Sequence, residues 1–498
     1  MKNDKFIFGA IFLFVVGVFF IRGIVFLDPD FLWHLKFGEI VATSGIPRTD
    51  PFSYTMPSFL YVNHEWFLDV LLYFAYPIVG QVGLVLFYLA LVVGVYLVGV
   101  YGRMEIGWKE YSVLFLLFMA PVSAYFGVRP QIASWFLFAA FLRLIFDQVS
   151  WKKWRLFTPL LFFVWANMHG GFLSGLVAMF IVVVVRSVVA KRILVVDFVL
   201  LLICTLATLG TPYRELLWRE VWSSIADSSL RYRVSEWRPF VFAADVSIAG
   251  LVGLSGGFAW AYRRKMALEK ITVYIFFLIQ AFLSNRNIPL WAISAIPVTI
   301  EGFEIFKRQI GNGKETRERY LIAFNAVLYM AIFIFAMRAY LSLKDAVALR
   351  EDVFYPVGAV QYLKQTEREG RMFANYGWGG YLIWKMPTEK VFIDGRMPSW
   401  ENPSAPANET TSVMDDYFAI LRGDLEFEEQ FGKYGITTVL WNPEPARDSV
   451  SRFELLLLRL VFGEEAAKPG IDLGKELLES GWVVRYQDKN SVVFGKET

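Results

Sequence analysis

Residues 27–39 read Leu-Asp-Pro-Asp-Phe-Leu-Trp-His-Leu-Lys-Phe-Gly-Glu. They close Phe6–Leu27, an apolar run of about 22 residues whose single charge is Arg22, long enough to cross a hydrocarbon core of roughly 30 Å. The run is too long and too poor in small cleavage-site residues for a cleaved signal peptide, so it reads as a first spanning helix. Asp28 and Asp30 therefore stand where hydrocarbon gives way to water, and Pro29 between them limits their freedom. Ionisable groups at such a boundary cost free energy and mark a candidate site. Two readings of the pair are open. The carboxylates cap an amphipathic helix that starts near Phe31, or they act as general bases or as ligands of a divalent cation.

Outward from this loop the chain is overwhelmingly apolar. Of 498 residues, 56% are hydrophobic and 19% charged, with a mean hydropathy of +0.45, whereas soluble domains carry about a quarter charged residues. Further apolar segments lie near Val82–Val100, Tyr111–Phe126, Ile132–Phe146, Phe157–Ala166, Phe172–Val185, Val195–Leu209, Val246–Trp260, Ile271–Leu283, Pro289–Ile300 and Tyr320–Tyr340. With the first, these predict about 11 transmembrane helices. Every second connection is basic, among them Arg103/Lys109, Lys152/Lys153/Arg155 and Arg263/Arg264/Lys265. The positive-inside rule puts these connections and the N-terminus in the cytoplasm, and an odd number of spans puts the C-terminal tail outside.

The tail differs in charge. From Ser342 onward there are 18 Lys+Arg against 25 Asp+Glu, a net of −7; subtraction from 49 and 46 leaves 31 against 21, or +10, before it. The expected organisation is a polytopic α-helical membrane domain over 1–341, with a long first outer loop at 28–65, and an extracytoplasmic α/β domain over 342–498. In the tail, Met372–Ala374, Tyr381–Trp384, Val391–Asp394, Thr437–Trp441 and a hairpin of Trp482–Tyr486 with Ser491–Phe494 read as strands. The one cysteine, Cys204, excludes an internal disulfide framework or Cys-based zinc site.

The outer connections hold the unusual residues. His34, His64 and His169 are the only histidines, and all three map to the outer face, with Glu65 beside His64. Three imidazoles suit zinc, but no ligand spacing specifies it; an aqueous cavity lined by these side chains is the alternative, as are interfacial histidines bonded to backbone. Gly170 and Gly171 after His169 allow a close backbone approach. Arg129, Arg238 and Arg286 lie on the same side, where positive charge is normally depleted. Guanidinium forks suit a lipid phosphate whose tail stays in the bilayer; salt bridges to outer carboxylates or the acidic tail are the other reading. No basic helix or aromatic–basic interleave occurs on a soluble segment, which argues against nucleic acid.

These residues resemble the integral-membrane GT-C glycosyltransferases: a first helix ending in Asp-x-Asp, a long amphipathic first outer loop, many further spans and a C-terminal α/β domain. Asp28–Glu39, Gly45–Tyr54, His64–Trp66, Trp165–Phe172, Thr211–Arg214, Glu236–Pro239, Asn375–Tyr381 and Val391–Arg396 are similar to an uncharacterised bacterial branch of that superfamily. The resemblance implies a multi-pass protein of the cell (inner, cytoplasmic) membrane that passes a sugar from a polyprenyl-phosphate-linked donor to a glycan, lipid or protein acceptor at the outer face. It makes Asp28 or Asp30 the base, or the carboxylates orienting a divalent cation (Mg or Mn) where one is used as cofactor. It further implies that Arg129, Arg286 and Arg238 hold the donor phosphate, and that His34, His64, Glu65 and His169 line the sugar pocket. Tyr376 joins the substrate-binding candidates because Asn375-Tyr376-Gly377 is similar to the Trp-Trp-Asp-Tyr-Gly signature of oligosaccharyltransferase catalytic subunits. Ala374 and Asn375 stand where that signature has Trp and Asp, so its acceptor pocket does not carry over. A flippase or transporter of a lipid-linked glycan would need mid-membrane ionisable groups, and the charges gather at the faces instead. A catalytically inert assembly subunit is the remaining alternative.

Overall fold

The computed structural model describes residues 2–101, 106–227, 229–242, 245–309, 314–443, 452–464 and 470–496, and is mostly helical. Arg103 of the basic connections lies outside these residues. Among the described residues, five helices are long and apolar enough to cross a membrane: Asp4–Val25, Trp66–Val100, Phe172–Val189, Asn285–Gln309 and Glu318–Ala348. A bent pair, Gln131–Phe146 with Gln148–Met168, turns by 105°, and Val195–Ala207 and Val246–Tyr262 are shorter apolar helices. The chain is a multi-pass membrane protein.

Contacts divide it into two units. The first comprises Met1–Val25, Val79–Leu217 and Glu236–Ala346. Among the bilayer-length helices the most enclosed is Asn285–Gln309, 78% buried over its apolar window against 28% for Glu318–Ala348. Leu268–Leu283, Val246–Tyr262 and Trp108–Ser123 pack around it, so its apolar side chains face other helices rather than lipid. In this unit Arg22 is buried and donates to the carbonyls of Phe126 (3.0 Å), Ala124 (2.8 Å) and Ser342. The carbonyls of Ala124 and Phe126 lie past the end of helix Trp108–Ser123, where backbone acceptors lack an intrahelical partner.

The second unit gathers Phe26–Ile78, Trp218–Ser235 and Val347–Thr498. Its sheet runs in the order β1-β2-β4-β3, from β1 (Arg371–Ala374), β2 (Ile436–Trp441), β3 (Trp482–Gln487) and β4 (Val492–Lys496). β1 and β2 are parallel, and the β3–β4 hairpin joins antiparallel through β4. Gly435 at φ 63° caps helix Phe427–Tyr434 in the left-handed region that favours glycine and turns the chain into β2.

Two expected strands are not strands of this sheet. Tyr381–Trp384 lies in a helix, Gly379–Lys385; a four-residue apolar run has no periodicity that separates strand from helix. Two glycines allow that helix a close approach: a Cβ at Gly379 would stand 2.6 Å from the Ile393 carbonyl oxygen, and one at Gly380 2.2 Å from that of Pro29. Val391–Asp394 pairs with the first loop instead, through a parallel bridge of Ser53 with Val391. The Val391 N–H donates to Phe52 (2.9 Å), the Tyr54 N–H to Val391 (3.2 Å) and the Thr55 hydroxyl to Phe392 (2.7 Å).

Candidate functional site

In the second unit, Asp28 and Asp30 form a rigid corner. The Asp30 N–H donates to Asp28 Oδ1 at 2.9 Å, an Asx turn leading into helix Phe31–Ser44. Asp30 stands at the N-cap position but its side chain makes no cap bond. Its Oδ1 accepts the Trp33 indole N–H at 3.1 Å. The capping reading thus does not describe Asp30, because an indole competes for the oxygen a cap would use. The Asp30 carboxylate also lies against Gly395, where a Cβ would meet Oδ1 at 2.1 Å. A side chain at 395 would displace the carboxylate.

One helical turn on, Trp33 stacks on His34, with ring centroids 3.6 Å apart. The His34 Nδ1 lies 2.7 Å from Asp69 Oδ1, and its Nε2 lies 3.6 Å from Glu65 Oε2. Asn63 Nδ2 donates to the second Asp69 oxygen at 2.6 Å, while Asn63 Oδ1 accepts the Glu65 N–H at 2.8 Å. His64 Nε2 is 3.9 Å from Glu65 Oε1. The helices carrying His34 and Asp69 cross at Gly38, where a Cβ would be 2.1 Å from the Asp69 carbonyl oxygen. Tyr376 sits at the turn before helix Gly379–Lys385; its N–H donates to the Tyr417 hydroxyl at 3.0 Å.

The other candidates belong to the first unit, where Arg129 and Arg286 converge on the segment Glu236-Trp237-Arg238. Arg129 forms an ion pair with Glu236, Arg286 lies over the Trp237 ring at 5.1 Å, and the Asn285 N–H donates to the Arg238 carbonyl at 2.8 Å. Burial on its own would push the Glu236 carboxyl up; Arg129 and then Arg286 hold it below its usual range. His169 follows helix Thr158–Met168, and its Nδ1 accepts the Gly171 N–H at 2.8 Å. Ser134 Oγ lies 3.0 Å from that Nδ1 and accepts the Trp165 indole N–H at 2.6 Å. A Cβ at Gly171 would be 2.6 Å from Ser134 Oγ, so Ser134 is what the glycine lets the backbone approach. The Gly171 N–H can only donate, so His169 Nδ1 is an acceptor in this arrangement.

The structure therefore brings His34, His64 and Glu65 together beyond the Asp28–Asp30 corner, and Arg129, Arg238 and Arg286 together in a second cluster. Sequence reasoning missed Asp69 and the anchoring role of Glu236. Asp69 had a signal: it is a lone carboxylate in the apolar stretch Trp66-Phe67-Leu68-Asp69-Val70-Leu71-Leu72, where an ionisable group is a functional hypothesis by default.

No protein-family model matches this chain, and no curated protein matches it. Among solved structures, the crystal structure of ArnT from Cupriavidus metallidurans in the apo state is similar in fold, with a TM-score of 0.51 at 12% identity. The match covers 99% of this chain and 98% of that one. Over nearly its whole length the chain thus has an ArnT-like fold.

Proposed function

We propose that this chain is a GT-C-type glycosyltransferase of the cytoplasmic membrane, passing a sugar from a polyprenyl-phosphate-linked donor to an acceptor hydroxyl at the outer face. The observation that carries this reading is the Asp28–Asp30 corner: two carboxylates locked by an Asx turn and by Gly395 at the end of a bilayer-length helix, in a chain whose fold matches ArnT from end to end. The acceptor oxygen attacks the anomeric carbon, the bond from that carbon to the lipid phosphate breaks, and the acceptor proton passes to the carboxylate of Asp28 or Asp30. Arg129 and Arg286 set two guanidiniums against the one carboxylate of Glu236, with Arg238 two residues along the chain, an excess of positive charge suited to a leaving phosphate. His34, His64, Glu65, His169 and Tyr376 are the sugar-binding candidates. Two carboxylates on one turn also suit Mg or Mn, which keep most of their water shell; such an ion would supply positive charge opposite the donor phosphate. The basic connections support a cytoplasmic N-terminus and an extracytoplasmic C-terminal unit.

The Arg129–Glu236 ion pair favours a second reading, an inert assembly subunit, since a guanidinium already paired has less of its fork to offer a phosphate. One experiment separates the two. Purified protein in liposomes is given labelled polyprenyl-phosphate sugars and membrane-derived acceptors. Transfer that falls by at least about 100-fold in Asp28→Asn/Asp30→Asn, with unchanged size-exclusion behaviour, is the expected result. Transfer by the double variant at the parent rate overturns the mechanism.

A further inference from the structure

Asp69 is fully buried in the first turn of helix Trp66–Val100, and both its carboxylate oxygens are engaged within the second unit. The contacts leave little choice about protons. Asn63 Oδ1 accepts the Glu65 N–H, which turns its amide nitrogen toward Asp69 as a donor. One Asp69 oxygen is thus an acceptor for Asn63, and the other lies 2.7 Å from His34 Nδ1, where an ionised carboxylate accepts an imidazole proton. Trp33 against one face of the ring and Gly38 at the helix crossing leave His34 one orientation, with Nε2 directed at Glu65.

We propose that Asp69 is a positioning residue: it acts through His34, holding the ring with its proton on Nδ1 so that Nε2 and the Glu65 carboxylate form a clamp for one sugar hydroxyl. The 3.6 Å between Nε2 and Glu65 Oε2 is too long for a good hydrogen bond, and a hydroxyl oxygen seated beside that gap accepts from the imidazolium and donates to the carboxylate. The charged groups facing the ring are Asp69, Glu65 and Asp30, all acidic, and they favour the imidazolium that this arrangement needs. The clamp rests on the glycosyl-transfer reading; the state of the ring does not.

With three histidines in the whole chain, protein labelled with 15N-histidine in nanodiscs gives three imidazole patterns, and His34→Gln assigns one of them. The expected wild-type pattern for His34 near neutral pH is a protonated Nδ1 with a strongly deshielded, exchange-protected proton. Asp69→Asn, and to a lesser extent Asn63→Ser, removes that deshielding. A wild-type His34 with unprotonated Nδ1, observable without any variant, overturns the proposal, as does an Nδ1 resonance indifferent to Asp69→Asn. In the transfer assay, Asp69→Asn is expected to raise the KM for the sugar donor on the order of tenfold, with a smaller change in kcat; an unchanged KM in a variant that has lost the Nδ1 signal overturns the clamp. If no sugar is transferred by any variant or by the parent, the glycosyl-transfer reading fails while the resonances still decide the role of Asp69.

Discussion

Burial on its own would drive the His34 imidazole to its neutral form, but Asp69 and Glu65 reverse the sign and raise it from 6.5 to about 9. A folded pKa above the unfolded one means that the native state binds the extra proton. The resulting stabilisation is complete below pH 6.5 and is lost as pH rises through about 9. At about 1.4 kcal/mol per unit, the whole window is worth up to about 3 kcal/mol. Thermal unfolding of the parent protein in detergent is therefore expected to move to lower temperature across this window. Asp69→Asn removes the largest of the attractions, so its midpoint is lower at acidic pH and nearly flat across the same range. A parent whose midpoint does not change between these pH values would show that His34 is not charged by its neighbours.

At the scale of single elements, Arg22 explains how the first helix can carry a buried cation. Its guanidinium donates to the backbone carbonyls of Ala124, Phe126 and Ser342, and the Ser342 hydroxyl adds a bond to the Ser123 carbonyl at 2.9 Å. One side chain therefore fastens the end of helix Lys2–Val25 to the end of Trp108–Ser123 and to the last long helix of the first unit. Arg22→Leu fits the apolar surroundings in size but strips these carbonyls, each lost bond costing about 1–3 kcal/mol when no water replaces it. The expected outcome is a fall in thermal midpoint larger than for Arg22→Lys, which keeps one bond; equal midpoints for parent and Arg22→Leu would remove the role. The sequence could be read as far as this helix, the acidic corner after it and the β1, β2 and hairpin strands, because length, charge and alternation are local properties. It could not say which carbonyls Arg22 caps, nor that Tyr381–Trp384 coils into a helix. Those outcomes depend on Ala124, Ser342, Pro29 and Ile393, partners far away in the chain. Asp69 was hidden for a related reason: one carboxylate in an apolar run declares that something must neutralise it, but not that the partner is His34.

For the molecule as a whole, the consequential fact is that the first loop and the C-terminal residues fall in one unit although more than 250 residues separate them in the chain. Arg396 shows what this association holds together. Its guanidinium pairs with Asp50 at 2.8 Å and Asp394 at 2.7 Å, and lies 4.7, 4.9 and 5.1 Å from the Phe52, Tyr61 and Trp400 ring centroids. A C-terminal fragment 347–498 on its own keeps Asp394 and Trp400 but loses Asp50, Phe52 and Tyr61. It also loses the Tyr54 hydroxyl that donates to the Met372 carbonyl at 2.9 Å in β1, and the strand partner of Val391. Removing one partner of a buried ion pair costs about 3–5 kcal/mol, and each stripped buried carbonyl about 1–3 kcal/mol, against a total stability of about 5–15 kcal/mol for a domain of this size. The fragment is therefore expected to lack a cooperative unfolding transition, and fusion of residues 26–65 to its N-terminus to restore one, with Arg396→Met in the fusion undoing much of the gain. Circular dichroism melts of the three proteins decide this. A cooperative transition in the lone fragment would mean that the sheet and its helices suffice for folding, and that the loop contributes Asp28 and Asp30 without holding the tail together.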